Sequence, residues 1–316
     1  MTSAGTRVAV IQAGSILFDT PRTLAKLREF VAEAAGRGAR FALFPEAFLG
    51  GYPKGIDFGV RIGSRSSEGR EWFRRYFESA VEVPGPETDV LCELARSADM
   101  SLAVGVIERE GGTLYCSVLF VGGDGRLLGK HRKLMPTAAE RVIWGFGDGS
   151  TLPVVQTAAG RVGAAICWEN YMPLLRAALY AQDLQIYCAP TVDDRETWLP
   201  TLRHIAMEGR CFVLSASQFL LRSDCPEDYD PIQGSAPGTV LIRGGSTVVD
   251  PFGQVLAGPC FGEETILTAD LDFGQIARAK FDLDVTGHYA RPEVLQLKVN
   301  TAPMKAVDLP ARDPQA

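Results

Sequence analysis

The chain has 316 residues, of which 46% are hydrophobic and 22% charged, a composition typical of a globular protein with a large core. Its formal net charge of −6 argues against a nucleic-acid partner. No apolar run approaches the roughly 20 residues that cross a bilayer, and the amino terminus lacks a signal-peptide pattern. The seven cysteines form no Cys-x-x-Cys pair, so we expect a cytoplasmic protein in a reducing compartment, without a membrane partner.

Strands and helices alternate along the first half of the chain. Apolar runs indicate the strands, and capping residues or prolines indicate where helices begin. We predict strands at 8–13, 39–44 and 102–107, helices at 20–35, 70–81 and 87–97, and a hairpin of strands 114–121 and 126–134. Residues 54–69 are interpreted as irregular surface.

The second half repeats this alternation without sequence repetition. We predict strands at 162–167, 184–189, 211–216, 239–249 and 264–271, and helices at 171–182, 195–209 and 273–281. No linker rich in Pro, Gly or Ser divides the chain, which favours a single α/β catalytic domain over residues 1–300 with mixed sheets. Residues 301–316 contain three prolines and no aromatic residue, and this predicts a flexible carboxyl-terminal tail.

Cys167 stands at a predicted strand–helix junction. Residues 162–166 form a short apolar run that predicts a strand buried on both faces. Asn170 can cap the following helix, and Pro173 falls within its first turn. The helix terminus offers unpaired N–H groups and partial positive charge, which favour thiolate over thiol. Cys167 is therefore a candidate nucleophile, and the alternative is an inert packed cysteine.

Glu46 and Lys133 also lie at the carboxyl ends of predicted strands, the edge where α/β folds build their sites. Taken alone, Glu46 could be an exposed loop carboxylate and Lys133 part of a solvated basic face. Together with Cys167 they provide the set of groups that one type of reaction requires. A thiolate that adds to a carbon–nitrogen multiple bond requires a base to take its proton and a cation to stabilise the developing negative nitrogen.

Other chemistries fit the sequence poorly. The three histidines are too dispersed to suggest a metal site. There is no Gly-x-Ser-x-Gly motif, and the glycine-rich stretch at 145–149 lacks the strand before it and the helix after it that a dinucleotide loop requires. We therefore expect neither a metal nor a cofactor.

Several motifs, in the right order, resemble those of nitrilases, the true nitrilase branch of the carbon–nitrogen hydrolase superfamily. They are Phe-Pro-Glu at 44–46, Arg-Lys-Leu-Met-Pro-Thr at 132–137, Glu-Arg at 140–141, Cys-Trp-Glu-Asn at 167–170 and Gly-His-Tyr-Ala-Arg-Pro at 287–292. The resemblance is greatest to plant nitrilases and their bacterial relatives. It implies a four-layer α-β-β-α sandwich that forms homodimers or larger homo-oligomers, often spirals. The short tail after residue 300 argues against long filaments.

The resemblance also implies the roles of the candidate residues. Glu46 would be the base, Lys133 the electrostatic stabiliser and proton carrier, and Cys167 the nucleophile, with Glu140 assisting nearby. Spacing does not separate Lys133 from Lys130, but the family's Arg-Lys-x-x-Pro-Thr pattern selects Lys133. No cofactor is implied.

Three further residues are interpreted as substrate-binding. Tyr52 would line the pocket, Trp168 would shape it with its N–H helping to hold the nitrile nitrogen, and Thr191 would line the acyl side. For Tyr52 and Trp168 the alternative is a packing role without a part in the chemistry. The implied reaction converts a small nitrile, arylaliphatic or aliphatic, and two waters into a carboxylic acid and ammonia through a thioimidate and an acyl-enzyme. The alternatives are an amidase of the same superfamily and a non-catalytic scaffold protein that retains the fold.

Overall fold

The computed structural model describes residues 5–305 and 307. The strands and helices of the first half are β1 (Thr6–Gln12), α1 (Thr20–Gly36), β2 (Phe41–Leu43), β3 (Val60–Arg61), β4 (Ser64–Arg65), α2 (Ser67–Ser79), α3 (Pro86–Ala98), β5 (Ser101–Glu110), β6 (Thr113–Val121) and β7 (Leu127–Arg132). Those of the second half are β8 (Val155–Thr157), β9 (Gly160–Ala164), α4 (Pro173–Tyr180), β10 (Ile186–Cys188), α5 (Trp198–Gly209), β11 (Phe212–Ser215), β12 (Phe219–Leu221), β13 (Val240–Val249), β14 (Val255–Phe261), β15 (Thr265–Leu271) and α6 (Gly274–Asp282).

Two mixed sheets form the centre of the molecule. The first has the strand order β15-β1-β2-β5-β6-β7, and the second has the order β12-β13-β11-β10-β9-β8, with β14 paired to β13. β1, β2 and β5 pair in parallel, as do β9, β10 and β11. β7 is antiparallel to β6, which is antiparallel to β5, so β7 points the same way as β2. The carboxyl ends of β2 and β7 therefore meet at one edge of the first sheet.

Three of the four hydrophobic cores among the described residues define the four layers of the molecule. In β1, Val8 and Val10 face the core between the two sheets, whereas Ala9 and Ile11 face the core under α1 and α3. This alternation follows from the two-residue period of a strand. A third core lies between the outer face of the second sheet and the helices α4 and α5. The predicted α-β-β-α sandwich is confirmed.

The strands β8, β12 and β14 are absent from the predictions, and several element boundaries also differ around the candidate nucleophile. The strand predicted at 162–167 is buried on both faces, as expected, but ends at Ala164. The helix predicted at 171–182 is preceded by a separate 3-10 turn, Cys167–Tyr171, and α4 begins at Pro173. Residues 54–69, predicted to be irregular, include the small hairpin β3–β4 and the start of α2. Within the predicted tail, residues 306 and 308–316 lie outside the described residues.

The cysteines are unpaired, and most are buried in the layers. All seven are free, and those classed as buried are Cys116, Cys167, Cys188 and Cys211. Among the residues that the structure describes, no helix has both the length and the apolar character needed to cross a membrane.

Candidate active site

Glu46 is fully buried just beyond β2, which ends at Leu43. The side-chain amide of Gln218 donates a hydrogen bond to the backbone carbonyl of Glu46 at 2.9 Å. On the other side the segment packs against Gly105 of β5, where an added Cβ would lie 2.0 Å from the carbonyl oxygen of Pro45 and 2.8 Å from the Cα of Glu46. The absence of a side chain at Gly105 therefore allows Glu46 to approach the sheet this closely.

We expect Gly105→Ala to destabilise the protein. Its Cβ would meet backbone atoms, which cannot move aside as the end of a flexible side chain can. Overpacking of this kind typically costs about 1–3 kcal/mol, occasionally more. Gly112→Ala is the matched control, because nothing lies within 4 Å of a Cβ added there. Thermal unfolding should show a lower Tm for Gly105→Ala alone, and equal Tm values would contradict this account of how Glu46 is placed.

Lys133 follows β7 and points into the buried space beside Glu46. Its Nζ donates to Glu46 Oε1 at 2.7 Å and to Glu140 Oε2 at 2.7 Å, and its side chain is 0% exposed. Burial alone would lower the pKa of Lys133, but the charge on Glu46 raises it, and the net pKa is well above its usual value. The site therefore contains a buried ammonium group shared between two carboxylates.

Lys130 takes part in a different cluster. Its ammonium pairs with the buried carboxylate of Glu108. Glu108 also accepts hydrogen bonds from Arg132 at 2.6 and 2.9 Å and from Ser117 at 2.8 Å. Lys133, by contrast, lies against Glu46. The structure thus separates the two lysines that spacing in the sequence leaves equivalent.

Cys167 opens the 3-10 turn after β9 in a left-handed conformation, with φ at 51°. Residues other than glycine rarely adopt this conformation, and such strain is concentrated at functional sites. The backbone N–H of Cys167 donates to the carbonyl of Pro190 at 2.9 Å. The Asn170 side chain donates to the carbonyls of Ala165 and Cys167 at 2.9 and 2.7 Å. The prediction that Asn170 caps the next helix is wrong, since Met172 occupies that position and Asn170 braces the turn.

The surroundings of the Cys167 thiol raise its pKa. Burial raises its pKa and the charge of Glu46 raises it further, while Lys133 and a hydrogen bond from Thr191 only partly oppose this. The prediction that a helix terminus favours a thiolate is therefore wrong: desolvation outweighs it. A base is required, and Glu46 has a buried Oε2 atom without a hydrogen-bond partner among the described residues. Burial raises the pKa of Glu46 and Lys133 opposes that shift.

Thr191 and Trp168 both make contacts that the sequence does not predict. Thr191 Oγ1 donates to Cys167 Sγ at 3.2 Å and accepts from the backbone N–H of Asp193 at 2.9 Å. The Trp168 side chain lies near the surface, 42% exposed, and its indole N–H donates to Asp193 Oδ2 at 2.8 Å. The Thr191 hydroxyl thus contacts the nucleophile itself, and the Trp168 indole N–H is already engaged and not available to a nitrile.

Glu140 and Tyr52 connect the buried groups to a cavity. Glu140 lies in the 3-10 turn Ala138–Val142, and it accepts from the Tyr52 hydroxyl at 2.7 Å and from the Thr137 N–H at 2.6 Å. Both side chains line a cavity of about 460 Å³. Its apolar lining includes Ile56, Phe58, Val60, Val142, Ile143 and Trp144. A larger cavity of about 550 Å³, between residues 16–22 and 223–226, contains none of the candidate site residues.

Two residues that contact Glu46, Cys116 and Gln218, are not predicted from the sequence. The Cys116 thiol lies 3.6 Å from Glu46 Oε1. The alternation of β6, which turns Leu114, Cys116 and Val118 towards the core between the sheets, could have indicated it. Gln218 has no such signal, because it is 172 residues from Glu46 in the sequence. In the described part of the chain, no group of three or more His, Cys, Asp and Glu residues could hold a metal ion.

The family follows from comparison with known proteins. A carbon-nitrogen hydrolase model matches residues 7–281. The chain belongs to the carbon-nitrogen hydrolase family. This hydrolase is 56% identical over 306 residues to the bifunctional nitrilase/nitrile hydratase NIT4A of Lupinus angustifolius, covering 95% of this chain and 88% of that one. It is also 56% identical over 301 residues to the aliphatic nitrilase of Sinorhizobium fredii (strain HH103), covering 95% and 97%. The similarity to plant and bacterial nitrilases is confirmed.

Solved structures of the superfamily share the fold of this hydrolase. Saccharomyces cerevisiae Nit3 superposes with a TM-score of 0.68 at 22% identity, covering 91% of this chain and 97% of that one. The amidase from Nesterenkonia sp. superposes with a TM-score of 0.65 at 22% identity, covering 89% and 97%. At such low identity, these likenesses establish the carbon-nitrogen hydrolase fold alone.

Thr191→Val should make Cys167 of this hydrolase less reactive. Valine keeps the shape of threonine but cannot donate to the sulfur, and a hydrogen bond to a charged group is worth about 1.5–3 kcal/mol. The alkylation of Cys167 by iodoacetamide, followed by mass spectrometry of its peptide, should therefore slow by roughly 10- to 100-fold at fixed pH. Thr191→Ser keeps the hydroxyl and should react at nearly the wild-type rate. A valine variant as reactive as wild type would exclude this role for the hydroxyl.

Proposed function

We propose that this protein is a nitrilase, which hydrolyses an organic nitrile with two waters to the carboxylic acid and ammonia. The observation that carries the proposal is the buried Lys133 ammonium, 2.7 Å from both Glu46 and Glu140, in the same site as the Cys167 thiol, whose pKa is raised. A base, a cation and a nucleophile are the groups that addition to a carbon–nitrogen triple bond requires. Two relatives with 56% identity are named nitrilases, which supports this choice of bond.

The first step forms a carbon–sulfur bond. Glu46 takes the thiol proton as the Cys167 sulfur attacks the nitrile carbon. Lys133 donates a proton to the nitrile nitrogen and regains one from Glu46, which leaves a neutral thioimidate. The fixed positive charge of Lys133 stabilises the nitrogen as negative charge develops on it, without reorganising during the reaction.

Two waters then complete the hydrolysis. Glu46, again a carboxylate, takes a proton from the first water, whose oxygen adds to the thioimidate carbon to give a tetrahedral adduct. Lys133 protonates the nitrogen during this addition and regains a proton from Glu46. As the carbon–nitrogen bond then breaks, Glu46 takes the proton of the adduct's hydroxyl group and Lys133 gives the nitrogen a second proton, so the nitrogen leaves as ammonia and Glu46 returns a proton to Lys133. The resulting acyl-enzyme is a thioester. A second water, activated in the same way, releases the acid and restores the Cys167 thiol.

The tetrahedral adduct is also the point at which an amide can form. If its carbon–sulfur bond breaks before its carbon–nitrogen bond, the thiol is restored and the amide leaves after one water. The Lupinus relative is named a bifunctional nitrilase/nitrile hydratase, which supports some amide release here as well. Acid and amide should therefore both be measured.

The cavity beside Tyr52 and Glu140 supports an apolar substituent on the nitrile, aliphatic or arylaliphatic. Its volume of about 460 Å³ is within the usual range for small-molecule sites, and isoleucine, valine and aromatic side chains dominate its lining. The hydroxyl of Tyr52 donates a hydrogen bond to Glu140, and this contact fixes the position of the tyrosine ring at the side of the cavity.

A panel of aliphatic and arylaliphatic nitriles, run beside the corresponding amides, tests the proposal. We expect ammonia and acid from at least one nitrile, with a higher kcat/KM than for its amide. The opposite preference would identify an amidase, which uses the same three groups. No turnover of either class by the folded protein would identify a non-catalytic scaffold.

We also propose that the protein works in the cytoplasm as a homodimer or larger homo-oligomer. The seven unpaired cysteines support a reducing compartment. Large apolar residues that are exposed in the isolated chain, Phe281, Tyr289, Val294 and Leu295 among them, support burial against a second copy. Light scattering should give a mass at least twice that of the chain, and a monomer at micromolar concentration would contradict it.

A further inference from the structure

The Glu169 carboxylate joins the chain segments on which Lys133 and Cys167 lie. Glu169 is 1% exposed. Its Oε1 accepts from the backbone N–H of Leu134 at 2.6 Å, and its Oε2 accepts from the backbone N–H of Ile166 at 2.7 Å. Leu134 directly follows Lys133, and Ile166 directly precedes Cys167. One buried side chain therefore holds the backbone next to both groups.

This link matters because those groups belong to different sheets. Lys133 follows β7 in the first sheet, and its partner Glu46 follows β2 in the same sheet. Cys167 follows β9 in the second sheet, as Thr191, which donates to its sulfur, follows β10. The distance between ammonium and sulfur thus depends on how the two sheets are joined at this edge. Glu169 joins them within one residue of each group.

His131 holds the Glu169 carboxylate in place. Its Nε2 lies 2.8 Å from Glu169 Oε2, and its Nδ1 lies 2.8 Å from the carbonyl oxygen of Thr151. Both partners are acceptors, so the ring satisfies both only as an imidazolium with two N–H groups. Burial alone would lower the pKa of His131, but Glu169 and Thr151 raise it, and the net shift is upward.

We propose that Glu169, held by His131, is a positioning residue that sets the separation between the Lys133 ammonium and the Cys167 sulfur. The inference rests on the proposed function. Without this link the two sheets can shift at the site, and a displacement of about 1 Å can cost about 100-fold in rate. We expect this displacement to lower kcat and to leave KM nearly unchanged. The reason is that Glu169 does not contact the side chains that line the cavity next to Tyr52 and Ile143.

Two substitutions of His131 separate positioning from simple structural support. In His131→Gln, the side-chain amide can reach the place of Nε2 and donate to Glu169. In His131→Asn, the shorter amide reaches the place of Nδ1, keeps the Thr151 contact and leaves Glu169 without its partner. Both variants lose a buried ring, so both should be destabilised. We expect kcat to fall by about 100-fold for His131→Asn and by less than about tenfold for His131→Gln, with KM nearly unchanged in both.

Leu27→Ala is the control for stability alone. Leu27 is a fully buried residue of α1, and it belongs to the core on the outer side of the first sheet, which contains none of the candidate site residues. All variants are assayed for ammonia release at a temperature at which circular dichroism shows them folded. Leu27→Ala should keep the wild-type kcat despite a lower Tm. The proposal would be overturned if kcat fell equally in His131→Gln and His131→Asn. It would also be overturned if the decrease in kcat followed the decrease in Tm across all variants, Leu27→Ala included.

A second measurement does not require a nitrile substrate. The charge of Lys133 lowers the pKa of the Cys167 thiol, so a greater separation should raise that pKa and slow alkylation of Cys167 at a given pH. We expect the pH profile of alkylation to move to higher pH in His131→Asn and to stay near wild type in His131→Gln. Profiles that coincide for the wild type and both variants would overturn the positioning role. Failure of every nitrile to react, with the expected alkylation shifts intact, would refute the proposed function alone.

Discussion

Replacing Cys167 with alanine is expected to abolish ammonia release from nitriles, with kcat falling by roughly 10⁴-fold or more. Without the sulfur no thioimidate forms, and neither Glu46 nor Lys133 can supply a covalent substitute. The variant should remain folded, since alanine fits the same space and leaves the Glu46–Lys133 ion pair intact. Steady-state ammonia release and circular dichroism measure the two expectations separately.

Cys188→Ala is the matched control for loss of a buried thiol. Cys188 is also fully buried in the core between the sheets, on β10 next to β9. Nothing in its surroundings activates it, because burial alone accounts for the raised pKa of its thiol. Its variant should retain nearly full activity. Substantial turnover by Cys167→Ala, or equal losses in both variants, would remove Cys167 from the mechanism.

Replacing Lys133 with methionine should be nearly as severe. Methionine keeps most of the bulk of the stem but removes the cation that stabilises the developing negative nitrogen, and kcat should fall by roughly 10²- to 10³-fold or more. Breaking a buried ion pair also destabilises a protein by about 3–5 kcal/mol. Lys133→Arg therefore accompanies it, because it keeps the charge and supports folding while displacing the proton donor. We expect a folded arginine variant with strongly reduced kcat.

Lys130→Met is the control, because Lys130 lies on β7, the strand that Lys133 directly follows. It removes a cation from Glu108, but Arg132 still donates two hydrogen bonds to that carboxylate. We therefore expect a small loss of stability, about 1 kcal/mol, and nearly wild-type kcat. A collapse of kcat in Lys130→Met with an active Lys133→Met would transfer the catalytic role to Lys130. Mild effects in both would show that no lysine is needed.

The sandwich and most of its elements could be predicted because strands and helices depend on near neighbours in the chain. The apolar run at 162–166 predicts a strand buried on both faces, and Ala164 and Ala165 do face different cores. The three-residue strands β8 and β12 were missed, since so few residues show no period. The split between the turn at Cys167–Tyr171 and α4 was also missed, because Asn170 has the residue type of a cap but serves the preceding turn.

The candidate site could be predicted as a set of residues but not as a chemical environment. Motifs select Glu46, Lys133, Glu140 and Cys167, and the structure brings them together. Their protonation does not follow from the motifs. A helix terminus predicts a thiolate at Cys167, whereas the pKa of the buried thiol is raised, first by desolvation and then by Glu46, which follows a strand of the other sheet.

By itself, then, the sequence determined which side chains end the strands and which chemistry those side chains can perform, since residue type and local pattern are properties of short segments. Only the tertiary structure decided that Lys130 pairs with Glu108, that Thr191 contacts the sulfur, and that Glu169 links the two sheets. Hydrogen bonds act over a few ångströms, and desolvation depends on everything packed around a group. Both are therefore set by residues distant in the sequence that folding brings together.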